Sequence, residues 1–254
     1  MNKLASILLA MAVSASVCAA SATDYEAVST KAERYFAYQE WNSALAMYEL
    51  MLDSRPLDIP TYYKAIVASG MLGRKDIQMD MLTRTQKQGI ALDSIFSGVK
   101  KVSFAIGEGD AYEEFLKLVR DSQPWMARSI NAYLLDYYTF RNDAANMIDV
   151  AERLLVTTPD NLEYTRILAK GYLMAGRMED ALKCYKHIAS EYPADYDSHL
   201  NLGIFYKQQL DNCTSPESEA DYAALAETYL SDAYRLHPTP YVAQLLVELR
   251  KRVM

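Results

Sequence analysis

A beat of about 34 residues runs along the chain and restricts what it can fold into. Pro56, Ile90, Pro124, Pro159, Pro193 and Pro238 close successive stretches at spacings of 34, 34, 35, 34 and 45 residues. Proline cannot continue a helix and restricts the residue before it, so a proline recurring at one place marks the same turn each time. Residues 162–195 form the clearest copy: Leu168, Ala169 and Tyr172 share a face of a first helix, Gly176 breaks it, Ala181, Tyr185 and Ile188 line a second, and Pro193 closes the unit. The 254 residues hold only 9 Gly and 8 Pro against 20 Tyr and 12 Met, too few turn residues for a fold of many short strands. The chain is therefore expected to be an array of helix hairpins.

That pattern resembles the tetratricopeptide repeat (TPR), whose loose signature is W-x2-L-G-x2-Y, then A-x3-F, then P. The resemblance implies an all-α fold, a right-handed superhelical α-solenoid of about six TPR-like helix hairpins with a C-terminal capping helix. The expected units are 25–58, 59–92, 93–126, 128–161, 162–195 and 196–240, followed by a cap at 241–254. The first fits well, with Val28, Ala32 and Tyr35 on one helix and Ala44, Tyr48 and Met51 on the other. Gln78, Tyr112 and Met147 replace the small Ala that lets the paired helices approach, so the middle units fit less well. The last unit carries an eleven-residue insertion near 210–221, read as a lengthened hairpin because Thr214, Pro216 and Glu217 are helix-start signals. In the cap, Val242, Leu245, Leu246 and Leu249 recur at helical spacing, and Arg250, Lys251 and Arg252 suit the negative end of the helix dipole.

Residues 1–22 read as a secretory signal peptide: Lys3, the apolar run Leu4 to Val17, and small residues at Ala20 and Ala22. The run falls short of the ~20 apolar residues a membrane span needs, so an exported protein, periplasmic or extracellular, with no membrane helix is expected. The competing reading is a lipid anchor at Cys18, although Val17 stands where a lipobox wants a small residue. Loss of Lys3 with the leader takes the net charge from −7 to −8, which argues against nucleic acid or an anionic membrane as partner. Two cysteines remain in a disulfide-permissive compartment, and stacked hairpin tips make Cys184 and Cys213 a candidate bridge, with two separate thiols as the alternative.

The resemblance also implies a function, because first helices of such arrays line a concave groove that grips a peptide. The corresponding residues are Phe36, Tyr63, Val67, Met71, Phe104, Phe140, Arg166, Lys170, Leu173, Met174, Leu200 and Ile204, mostly apolar with one basic spot. Arg166, Lys170 and Asn201 stand where some relatives clamp a carboxylate, but Asp197 occupies a position that clamp gives to a cation. No cofactor or metal is expected: His187, His199 and His237 have no i, i+4 partner, and neither a phosphate loop nor GxSxG occurs. The expectation is a non-catalytic scaffold or adaptor of the cell envelope that binds a protein or peptide. Its alternatives are a lipid-anchored outer-membrane-assembly component of the BamD-like type, and an enzyme whose catalytic residues are separated in sequence.

Overall fold

The computed structural model describes residues 24–253, and within them the chain is all-α. Residues 1–22, expected to be a leader, and with them Cys18, lie outside the described residues. Helix α1 covers residues 24–37. It is followed by α2 (Trp41–Ser54), α3 (Ile59–Met71), α4 (Lys75–Lys87), α5 (Leu92–Ala105) and α6 (Gly109–Ser122). A 3-10 turn, Pro124–Met126, then leads to α7 (Ala127–Arg141), α8 (Ala144–Thr157), α9 (Leu162–Met174), α10 (Met178–Glu191), α11 (Tyr196–Asp211), α12 (Pro216–Leu236) and α13 (Pro240–Val253). The chain divides into two compact units at Ile130 and Asn131.

The tight turns explain why the chain keeps its beat. Gln39, Gly73, Gly107, Asn142 and Gly176 all have positive φ, between 53° and 80°, and stand 34, 34, 35 and 34 residues apart. Each ends the first helix of a hairpin, where a left-handed residue lets the next amide reach back five residues to a helix carbonyl. Those bonds are present throughout: Glu40 to Tyr35, Arg74 to Ser69, Glu108 to Ser103, Asp143 to Tyr138 and Arg177 to Tyr172, all 2.8–3.0 Å from donor N to acceptor O. Glycine takes this conformation without a Cβ penalty, whereas Gln39 and Asn142 hold it at a cost.

In the first unit α3 packs against α2, α4, α5 and α6. Its core is built from Tyr48, Tyr62, Ile66, Met81, Leu82, Phe96, Tyr112 and Phe115, all buried. The oversized residue Gln78 is accommodated by a glycine opposite: a Cβ on Gly70 would lie 2.6 Å from Gln78 Nε2. That amide is not free to swing aside, since it donates to the Ile66 carbonyl at 3.2 Å. Polar bridges join residues roughly one repeat apart: Tyr25 donates to Asp58 at 2.7 Å, Lys64 to Glu33 at 2.7 Å, Arg84 to Glu49 at 2.7 Å, and Gln86 to Gln123 at 2.8 Å.

In the second unit each helix from α8 to α13 packs on the next. Close approaches to glycine occur here too: a Cβ on Gly171 would lie 3.0 Å from Ile148 Cγ1, and one on Gly203 would lie 2.7 Å from Leu230 Cδ2 and 3.0 Å from the Leu230 backbone N. Most of the insertion appears as helix on either side of a loop at 212–215, since α11 has 16 residues and α12 has 21, where α9 and α10 have 13 and 14. Helix α13 buries Val242, Leu246 and Leu249, with Leu245 half-buried. Its basic end is held by α12: Arg250 pairs with Glu227 at 3.3 Å and Arg252 with Glu219 at 2.8 Å. No helix among the described residues is long and apolar enough to cross a membrane.

Candidate functional site

Of the groove residues that the sequence nominates in the first unit, Phe36, Tyr63, Met71 and Phe104 are half-buried. Phe36 meets Trp41 edge-on with ring centroids 5.1 Å apart, and Phe104 lies over Gly109, where a Cβ would come within 3.3 Å of its ring. Tyr63 covers Gly98 so closely that a Cβ there would stand 2.1 Å from the ring. Val67 departs from the expectation. It is only 2% exposed and belongs to the core, because it sits on the face of α3 that meets the neighbouring helices, so it presents nothing to a partner. A separate opening of about 610 Å³ in this unit is lined by Leu52, Asp53, Pro56, Tyr62, Arg84, Lys87 and Gln88. Its arginine is already engaged with Glu49 and Asp80.

The second unit gathers the nominated residues more tightly. Leu173 and Ile204 stand in one cleft of about 380 Å³, open to solvent, together with Met178, Ala181, Leu182, Tyr185, Asn201, Phe205 and Gln208. Three helices build it: α9 gives Leu173, α10 gives a face at i, i+3, i+4 and i+7, and α11 gives the remainder. Seven of the nine lining residues are apolar or aromatic, with the amides of Asn201 and Gln208 as the polar exceptions. Met174 is 42% exposed on α9, Leu200 is half-buried on α11, and Phe140 is 65% exposed on α7; none of the three lines the cleft. The α10 wall escapes reasoning restricted to first helices. Its signal was the pairing of Met178 with Leu182 one turn later, beside the core positions Ala181 and Tyr185.

Arg166 corrects the expectation of a free basic spot. Its guanidinium bonds Asp195, whose side chain is 3% exposed, and lies 3.9 Å from Glu163. Asp195 in turn caps α11 by accepting the Ser198 amide at 2.8 Å. Burial alone would push the Asp195 carboxyl up, but the Arg166 guanidinium and Ser198 outweigh it and hold the group below the usual carboxylate range. Arg166 therefore ties α9 to the start of α11. Lys170, one turn further along α9, is exposed and makes no ion pair among the described residues.

The considered Cys184 to Cys213 bridge is not formed, and both thiols are free. Cys184 lies on the part of α10 that meets the charges of Asp180 and Glu152, the latter on α8, and burial followed by these carboxylates pushes its thiol up to about 11. Cys213, in the α11–α12 loop, instead points its thiol at the Ser215 carbonyl, 3.3 Å away. The histidines stay apart. His199 is buried with Nε2 3.1 Å from the Pro193 carbonyl, His237 is exposed with its ring edge-on to Tyr196, and His187 is exposed. No group of three or more His, Cys, Asp or Glu suited to a metal ion occurs among the described residues.

No protein-family model matches the sequence, and no curated protein matches it. Solved structures do. A TPR repeats protein from Bacteroides fragilis is 15% identical, with 90% of this chain and 99% of that chain covered and a TM-score of 0.40. The C-terminal part of a TPR repeat-containing protein from Cytophaga hutchinsonii is 11% identical, with 85% and 98% covered and a TM-score of 0.44. The APC/C hetero-tetramer Cut9-Hcn1 is 12% identical over 85% of this chain at a TM-score of 0.44, and there the chain spans only 40% of its match. Among the described residues the chain is all-α and built of helix hairpins, and it is similar at low identity to TPR repeat proteins of known structure.

Proposed function

We propose that the protein is a non-catalytic scaffold or adaptor that holds a segment of another polypeptide, and that it works in the cell envelope. The observation that carries the binding role is the open cleft walled by α9, α10 and α11. Exposed apolar concavities with a few polar groups are where peptide side chains gain most from leaving water. Leu173, Met178, Ile204 and Phe205 offer that burial, and the thioether of Met178 adapts to side chains of different shape. The amides of Asn201 and Gln208 supply hydrogen-bonding groups at its polar edge. Placement in the envelope rests on the leader-like residues 1–22.

The test is capture from envelope extract by the wild-type protein and by a Leu173→Asp, Ile204→Asp variant with an unchanged far-ultraviolet circular dichroism spectrum. A partner held by the wild type and lost by the variant is the expected result. A partner retained equally by both overturns the cleft as the binding site. Recovery of the wild type in the cytosolic fraction with residues 1–22 still attached overturns the envelope placement.

A further inference from the structure

A buried imidazole in the last hairpin leaves one of its two nitrogens without a partner. His199 on α11 is 6% exposed. Its Nε2 lies 3.1 Å from the Pro193 carbonyl, and because a carbonyl only accepts, Nε2 carries a proton and donates it there. In the neutral ring Nδ1 is then a bare lone pair. That nitrogen is buried without a hydrogen-bond partner and stands 3.9 Å from Asp232 Oδ2 on α12. A lone pair facing a carboxylate oxygen is repelled, and a cation between the two would turn repulsion into attraction. No group of three or more His, Cys, Asp or Glu suited to a metal ion occurs among the described residues, so the cation that fits is a proton. We infer that His199 and Asp232 form a proton-operated latch between α11 and α12. Uptake of a proton at Nδ1 makes a charge-assisted hydrogen bond to Asp232 while Nε2 keeps the Pro193 carbonyl, and release of that proton opens the latch.

The neighbouring charged groups leave Asp232 as the ring's counterion. On α12, Arg235 bonds Asp232 Oδ1 at 2.9 Å, which leaves Oδ2 for the ring, and the Tyr229 ring centre lies 5.9 Å from the imidazole. On α10, Lys186 lies 5.7 Å from the centre of the Tyr206 ring, which stacks on Tyr229. Asp195, before α11, is engaged by Arg166 of α9 and by the Ser198 amide. Asp197 on α11 favours the charge of Arg166, Glu248 on α13 faces Lys207, and His237 after α12 meets Tyr196 edge-on. His199 precedes Asn201, Ile204 and Phe205 on α11, the helix that forms one wall of the cleft. The latch therefore governs how that wall is tied to the helix behind it.

Ring-nitrogen NMR of the histidine-labelled protein between pH 8 and 5 tests the latch, with His187→Gln and His237→Gln variants to assign the His199 signals. At pH 8 the ring should show a protonated Nε2 and a bare Nδ1. As the pH falls, Nδ1 should gain a proton that exchanges slowly with water while the circular dichroism spectrum stays unchanged. Asp232→Asn removes the counterion and offers an amide to the bare lone pair, so it should lower the ring's proton affinity about tenfold or more and abolish the slowly exchanging proton. Arg235→Gln removes a competing cation whose side chain is 70% exposed, and it should raise that affinity about two- to fivefold. This second variant decides the matter if Asp232→Asn does not fold. A bare Nε2 at pH 8 overturns the latch, as does a ring that stays neutral to pH 5 in the folded protein. Identical titration of wild type and Asp232→Asn overturns it too, and so does an unchanged or lowered affinity in Arg235→Gln.

Discussion

Removing the Asp195 carboxylate tests how α9 is joined to α11. Two interactions end on this buried side chain, the cap of α11 and the bond from Arg166. Loss of an N-cap costs about 1 kcal/mol, and a hydrogen bond to a charged group contributes about 1.5–3 kcal/mol. The Arg166 side chain is 39% exposed, so its freed guanidinium regains water and part of the second figure is offset. Asp195→Ala is therefore expected to cost about 2–3 kcal/mol, and Asp195→Asn, which keeps an acceptor for Ser198, about 1–2 kcal/mol. The measurement is urea unfolding followed by circular dichroism, with hydrogen exchange on α11 amides because repeat arrays need not unfold in one step. The pH dependence supplies a second constraint. The folded carboxyl titrates below its unfolded value of about 3.9, so its contribution is complete above that value and disappears as pH falls through the lowered folded one. The gap between wild type and Asp195→Asn should thus be constant from about pH 5 to 8 and close in stronger acid. A variant as stable as wild type at pH 7, or a gap that widens as pH falls below about 3.9, would refute the reasoning.

Gln39→Gly should stabilise the first hairpin by about 1 kcal/mol in thermal or urea unfolding, because it relieves a left-handed non-glycine residue. Gly203→Ala should destabilise by about 1–3 kcal/mol, since the added methyl meets the Leu230 backbone as well as its side chain. Cys213 should react first with a thiol reagent at pH 8 in the native protein, and Cys184, raised to about 11, should follow only as the pH approaches that value or the chain unfolds. Arg250→Ala should change stability by less than about 1 kcal/mol, because its pair with Glu227 is exposed on both sides.

The helical class was legible because it rests on local signals: the spacing of apolar residues, Pro193 after α10, and glycines such as Gly107 and Gly176 where first helices end. Asn142 is a residue type that turns favour and so is legible as one, whereas Gln39 performs the same turn without glycine or asparagine, which hides it from a reading by residue type. The candidate site was legible only in part. Helical spacing brought Leu173 and Ile204 forward, but whether a side chain faces a neighbour or solvent depends on how far each helix is rotated, and Val67 fell on the inner side. Arg166 looked like a free cation because its partner is 29 residues away at the next repeat's cap. Long-range pairing of that kind leaves no trace in composition or period.

The glycines facing oversized residues make certain positions interdependent. Gln78 fits because Gly70 has no side chain; elsewhere Gly171 leaves room for Ile148 and Gly203 for Leu230. Restoring the small residue at 78 alone would leave an unfilled space and strip the Ile66 carbonyl of its extra donor, while a side chain at 70 alone would strike the amide. Each partner sets which residues the other position accepts, so the cost of a double change should differ from the sum of its parts. The hairpin of α3 and α4 thus departs from the small-residue rule at Gln78 and carries its own compensation at Gly70.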